Sequence, residues 1–206
     1  MVNPKILEAI KELRQNSKKR NFTQSVELIV NLKEIDIKKP EDRFSEDIIL
    51  PNGRGKDAKV VIFSDEIKDL GLDVEIIDSA KLQRMSKREA KKLARDVDFF
   101  LAEPKLMPTI GKVLGQYIGP RGKLPKIISG DIKAMVENYK KSIKIKVKDA
   151  PVVQCLVGNE SMSDEKIAEN IESVLNFLEN KLPKGKRNIK KILIKLTMGQ
   201  PFEVKV

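Results

Sequence analysis

Apolar positions along the chain repeat with two different periods. Ile6, Leu7, Ile10 and Leu13 recur at helical spacing, and Asn3 followed by Pro4 supplies a cap and a first turn, so a helix is predicted to end near Asn16. Val26, Leu28, Val30 and Leu32 then alternate with Glu27, Ile29 and Asn31, the period of a strand with one core face. A short strand is expected at 47–50, closed by Pro51-Asn52-Gly53, and the glycine-rich run to Asp57 is a first candidate hinge.

From Lys59 the pattern changes. Val60-Val61-Ile62-Phe63 is wholly apolar, with Ser64 after it as a cap for a helix. Further strands are expected at 74–77, 98–102 and 143–147. Helices are expected from the capping box Ser86-Lys87-Arg88-Glu89 to about Arg95, over 106–117 and over 129–140. Buried strands alternating with helices predict a small three-layer α/β domain. Asp149-Ala150-Pro151 is the second candidate hinge. Beyond it come a strand over 152–157, a helix capped by Ser163 with Ile167, Ile171, Val174, Leu175 and Leu178 as its stripe, and strands over 189–198 and 202–206. Neither end segment has enough strands to stand alone, so both are expected to build one discontinuous domain.

Composition narrows the function. Hydrophobic residues are 40% of the 206, enough for a packed core, while aromatics are 4% and Trp is absent. No apolar run approaches the roughly 20 residues that span a bilayer, and the N-terminus does not read as a signal peptide, so a soluble, cytoplasmic protein is expected. With no His there is no imidazole base, serine-type triad or histidine metal site. The lone Cys155 lies in an apolar run and reads as a buried structural thiol. No enzyme, cofactor or metal is expected. Net charge is +11, from 41 basic and 30 acidic residues, which favours a polyanion or simply solubility. The middle third is the most positive, with 20 basic and 13 acidic residues over 58–150.

Three stretches carry candidate chemistry. Gly115 to Pro125 contains Gly119-Pro120-Arg121-Gly122-Lys123, whose amides and cations could cradle phosphate. However, Leu124 follows the lysine where a phosphate loop needs Ser or Thr, and no G-x-G-x-x-G run exists. Lys18-Lys19-Arg20-Asn21-Phe22-Thr23-Gln24-Ser25-Val26-Glu27 sets cations and an aromatic before a strand. Arg20 could pair with phosphate and Phe22 pack on a base or ribose; a basic helix end with a core Phe would read the same way. Thr197-Met198-Gly199 ends a strand, with a hydroxyl suited to a ribose 2′-OH and a glycine that permits close approach, although any strand-end turn would look similar.

In order and spacing the motifs are more specific. Asn21 to Glu27, Leu50-Pro51-Asn52-Gly53-Arg54-Gly55-Lys56, Leu106-Met107-Pro108, Ile118 to Pro125, and Thr197-Met198-Gly199 together make the chain resemble the ribosomal protein L-one family of the mobile stalk of the large ribosomal subunit. The Asn52 to Lys56 loop looks like the archaeal branch, since bacterial members usually carry His there. The resemblance implies a two-domain α/β protein: a discontinuous α+β domain (split β-α-β) from 1–57 and 152–206, interrupted by a Rossmann-like three-layer insert over 58–151. It implies an RNA site of Arg20, Phe22, Ser25 and Glu27 with Thr197, Met198 and Gly199, and Thr23, Asn31 and Asn159 as neighbours. Glu27 would accept from a ribose hydroxyl or base amino group. Implied partners are large-subunit rRNA, exit-site tRNA, the mRNA of its own operon and other ribosomal components, with a monomer when free.

Overall fold

The computed structural model describes residues 3–205. The chain begins with α1 (Pro4–Gln15), β1 (Ser25–Leu32) and β2 (Phe44–Ile49). Next come β3 (Val60–Phe63), β4 (Glu75–Ile77), α2 (Ser79–Arg84), α3 (Lys87–Asp96) and β5 (Phe99–Ala102). They are followed by α4 (Met107–Ile118), β6 (Lys126–Ile127) and α5 (Ile132–Lys140). The order closes with β7 (Ser142–Val147), β8 (Val152–Asn159), α6 (Asp164–Lys181), β9 (Ile189–Leu196) and β10 (Phe202–Glu203). This is a mixed α/β protein in two compact units, one up to Asp57 and again from Lys141, the other Ala58–Lys140. Among the described residues no helix is long and apolar enough to cross a membrane.

In the first unit β10-β9-β1-β8 form an antiparallel sheet. Along β1 the even positions Val26, Leu28, Val30 and Leu32 are buried, each fully buried aliphatic contributing roughly 1.5–3 kcal/mol, while Ser25, Glu27, Ile29 and Asn31 are only half-buried. The buried face packs on α1 and α6 through Ile6, Ile10, Leu13, Ile167, Ile171, Val174 and Leu178. Asn3 caps α1 as its sequence predicts, and its own N–H donates to Glu172 Oε1 at 2.6 Å, fastening that helix start to α6.

β2 and β7 pair antiparallel along their whole length, Phe44 opposite Val147 and Ile49 opposite Ser142. This corrects the expected 58–151 boundary. Ile143, Ile145 and Val147 belong to the first core, and the chain re-enters that unit at Lys141, not near Pro151. The reason is visible in the residues: Lys144, Lys146 and Lys148 alternate with the apolar positions, the signature of a half-covered antiparallel strand rather than a parallel one buried on both faces.

The second unit is built on the parallel sheet β4-β3-β5-β6. All four residues of β3 and of β5 are buried. One face, with Phe63 stacked on Phe100 at 5.7 Å, packs on α2, α3 and α4; the other, through Ile62, Leu101 and Phe99, packs on α5. Two expectations change here. Ser64 starts no helix; its buried hydroxyl instead accepts from the N–H groups of Glu66 and Ile67 and donates to Glu103. α2, capped by Asp78, was not anticipated. In the first unit β9 stops at Leu196, so Thr197 and Met198 form the turn after the strand, not its last residues. Val206, the expected end of the last strand, and Met1 and Val2 of the leader reading lie outside the described residues.

Candidate nucleic-acid interface

The two segments singled out in the sequence meet at one end of the antiparallel sheet. Thr197 N–H donates to the Ser25 carbonyl at 3.1 Å, and Ser25 N–H donates to Thr197 Oγ1 at 3.2 Å, across 172 residues of sequence. The Thr197 hydroxyl also leans on the Ser25 carbonyl at 3.4 Å. Toward a ligand it is therefore left with acceptor capacity only. Gly199 N–H closes the turn on the Leu196 carbonyl at 2.8 Å.

Gln24 organises this end, and sequence reasoning missed it. It is 2% exposed, in phase with the core side of β1. Its Oε1 accepts from Met198 N–H at 3.3 Å, and its Nε2 reaches the Lys18 carbonyl and Glu160 Oε2, both at 3.4 Å. One buried amide thus ties the basic loop, the β8 end and the turn together. A polar residue at a core-phase position next to the motif was the available signal. Arg14 acts similarly from α1, with Nε on Asp164 at 2.6 Å and two nitrogens on the carbonyls of Glu160 and Met162.

Around this frame two large apolar side chains stand in solvent, Phe22 at 51% and Met198 at 61% exposure. Thr23 and Arg20 are exposed as well. Arg20 lines a cleft of about 350 Å³ with Arg14, Lys18, Lys19, Gln24 and Glu160. Phe22 is therefore no core residue, which removes one of the two readings of its stretch.

Along the open face the register is set by a bulge. Val26 pairs with Gly158 but Glu27 with Leu156, so β8 carries one extra residue beside the site. Glu27 sits across from Lys195 of β9, and its side chain makes no hydrogen bond or ion pair with a described residue. Lys195, likewise uncommitted, was not anticipated. Asn159 pairs with Ser25 at the same sheet end, its Oδ1 accepting from Ser161 N–H and Oγ. Gly55, at φ +82°, lies so close that a Cβ there would come within 2.5 Å of the Asn159 amide. Asn31 shares the face but not the place: it pairs with Lys191 six residues further along β1, roughly 20 Å from Ser25.

The glycine loop of the second unit is committed internally. Lys123 Nζ donates to the carbonyls of Ala94, Arg95 and Val97 at 3.2, 3.2 and 2.5 Å, satisfying the C-terminal end of α3. Arg121 turns back to the Tyr117 carbonyl at 2.7 Å. A larger cleft, about 640 Å³, lies in that unit against α2 and α3, but its four cations (Lys59, Lys81, Arg84, Lys92) are matched by four carboxylates (Glu75, Asp78, Glu89, Asp96). Size alone does not make it a site. Cys155 faces the first core, where burial pushes its thiol up to about 12. Among the described residues no cluster of His, Cys, Asp or Glu is arranged to hold a metal ion.

Fold and site together define a two-unit mixed α/β protein whose candidate site consists of cations, uncommitted acceptors and exposed apolar side chains at the open end of a sheet. The chain belongs to the ribosomal protein L1p/L10e family, whose model matches residues 13–200. It is 49% identical over 211 residues to the large ribosomal subunit protein uL1 of Pyrococcus abyssi, covering 98% of this chain and 95% of that one. The uL1 proteins of Thermococcus kodakarensis and Methanocaldococcus jannaschii are both 45% identical, covering 97% of this chain and 96% and 94% of theirs. The archaeal type expected from the Asn52 to Lys56 loop holds, and the family is one of ribosomal structural proteins, not enzymes.

Proposed function

We propose that this chain is a constituent of the large ribosomal subunit that binds large-subunit rRNA through the open end of its antiparallel sheet. The observation that carries this reading is the clasp between Ser25 and Thr197, which joins two distant segments into one surface bearing Phe22 and Met198. The chemistry suits RNA. Lys18, Lys19 and Arg20 can meet phosphates, Phe22 and Met198 can pack on exposed bases or riboses, and Thr197 and Glu27 offer acceptors to 2′-hydroxyls, which separate RNA from DNA. In this reading the discontinuous unit is the RNA-binding domain, split by a Rossmann-like insert, and the protein works in the cytoplasm as a monomer until assembled.

Membership of the family supports two further roles: aiding release of tRNA from the exit site, and repressing translation of its own operon by binding an mRNA element that mimics the rRNA site. If both RNAs use one surface, free protein in excess of rRNA shuts down its own synthesis. The decisive experiment is competition between stalk rRNA and an unrelated structured RNA at two salt concentrations. The stalk complex is expected to survive the higher salt better, because base and ribose contacts do not depend on counterion release. Equal loss of both complexes would leave only a general polyanion binder.

A further inference from the structure

The second unit carries its positive charge unevenly. Between Ser79 and Asp96 there are seven basic and two acidic residues, whereas the rest of Ala58–Lys140 has nine basic and ten acidic. The excess therefore resides in α2 and α3. On α3, Ala90 and Ala94 pack into the core, and at 3.6 residues per turn the opposite face carries Arg88, Lys91, Lys92 and Arg95, all exposed.

This stripe works against its own helix. Arg88 and Lys92, and Lys91 and Arg95, are like charges four apart; Arg88 and Lys91, and Lys92 and Arg95, are like charges three apart, and each such pair weakens a helix. Lys87 and Arg88 also sit in the first turn, where the macrodipole is positive. The nearby carboxylates give little relief. Glu89 is folded back on Ser86 in the capping box, and Asp96 is engaged by Arg95 at 2.8 Å. The side chains of Arg88, Lys91 and Lys92 make no ion pair or hydrogen bond with a described residue.

Arg88, Lys91 and Lys92 repel one another and make no ion pair or hydrogen bond with a described residue, an arrangement suited to a polyanion outside the molecule. We propose that the α3 stripe is a phosphate-binding contact for double-stranded RNA, separate from the sheet-end site. From Arg88 to Arg95 it runs roughly 10 Å. A nucleic-acid duplex of B-form carries about one charge per 1.7 Å of axis, so a stripe of that length meets more than one phosphate. The apolar residues of α3 face its own core and no large hydrophobic is exposed on it, which disfavours a membrane surface or a protein partner, both of which need apolar anchors. Such a contact positions RNA without reading sequence. The choice of RNA rests on the function proposed above; the charge argument does not.

The test uses the full chain with Arg88→Gln, Lys91→Gln, Lys92→Gln and Arg95→Gln combined, and two probes, a stalk rRNA fragment and an unrelated perfect RNA duplex. Both are expected to bind at least tenfold more weakly, with the slope of log affinity against log salt shallower by roughly 2 to 3 and the preference for stalk rRNA unchanged. Met198→Asp is the converse probe: preference lost, duplex binding kept. Unchanged affinity and slope on both RNAs in the α3 variant overturn the stripe whatever Met198→Asp does, and intact preference in Met198→Asp overturns the sheet-end site alone. Phosphatidylserine vesicles form a further arm; binding that depends on the four residues there, with RNA binding unaltered, also overturns the proposal. Removing repulsion should leave the melting temperature at or above the parent's. If the fourfold variant does not fold, Lys91→Gln with Lys92→Gln must give about half the slope change, and Lys91→Arg with Lys92→Arg must restore the parent slope.

Discussion

The protein contains two four-stranded sheets that use their faces in opposite ways. Among the described residues, helices pack on one face of β10-β9-β1-β8, so every second residue of β1 is spent on the core and the others are only half-buried. In β4-β3-β5-β6 both faces are covered, and β3 and β5 have no residue to spare. The half-covered sheet can present chemistry along its surface. The fully covered one must place it at strand ends, in loops or on the outer surface of its helices. That is where the two candidate surfaces fall, one on the sheet end at Ser25 and Thr197, the other on α3.

The strongest way to break this contrast is to put charge on the open sheet end. Met198→Asp adds a carboxylate beside the proposed phosphate and ribose contacts while burying nothing, since Met198 is 61% exposed. Affinity for stalk rRNA is expected to fall at least a hundredfold, about 2.8 kcal/mol, with the melting temperature unchanged. Thr197→Val, which deletes the hydroxyl at the clasp, should act in the same direction more weakly. Filter binding with a parallel melt checks both, and full affinity in the pair would remove the site from this face.

Gln24→Leu gives a smaller effect with a different signature. The substitution leaves Met198 N–H and the Lys18 carbonyl without their amide partner, costing about 1 to 2 kcal/mol of stability. Because the same amide holds the turn, rRNA affinity should fall too, although Gln24 touches no ligand in this reading. Loss of stability with full affinity would show that the turn holds itself.

Lys123→Met addresses the covered sheet. Three carbonyls at the end of α3 lose their ammonium, a loss of about 1 kcal/mol, and stalk rRNA affinity is expected to hold. A hundredfold loss of affinity would return the glycine loop to the functional surface.

Local rules made much of this legible. Asn3-Pro4, the Ser86–Glu89 box and Ser163 are helix starts in the sequence and in the structure, because a cap is decided within four residues. Both halves of the site were legible as motifs. What joins them was not: Gln24 looks like one more polar residue until its phase with Val26 and Leu28 is noticed, and its three partners lie 6, 136 and 174 positions away. The assignment of β7 failed for a related reason. Pro151 reads as punctuation, but strand pairing with β2 decides which unit owns the strand. Asn31 was placed with the site by motif, yet six residues of extended chain separate it from Ser25.

The smallest effect tests the inner face of the open sheet. Cys155 and Gln154 are neighbours on β8 that point to opposite faces, one in the core and one exposed. Burial raises the Cys155 thiol from its ordinary 9.0 to about 12, so between those values the folded state keeps a proton that the unfolded chain releases. Stability from this group is therefore complete well below pH 9 and lost as pH rises through that interval, by about 1 kcal/mol at pH 9.5. Cys155→Ala lowers stability by a constant packing loss but removes that slope, so the difference between the two chains should shrink from pH 8.5 to 9.5. A thiol reagent separates the faces directly: the parent stays unlabelled while folded, and Gln154→Cys is modified at the rate of a free thiol. Prompt labelling of Cys155 in the folded parent would mean that the face assigned to the core is open, and the contrast between the two sheets would go with it.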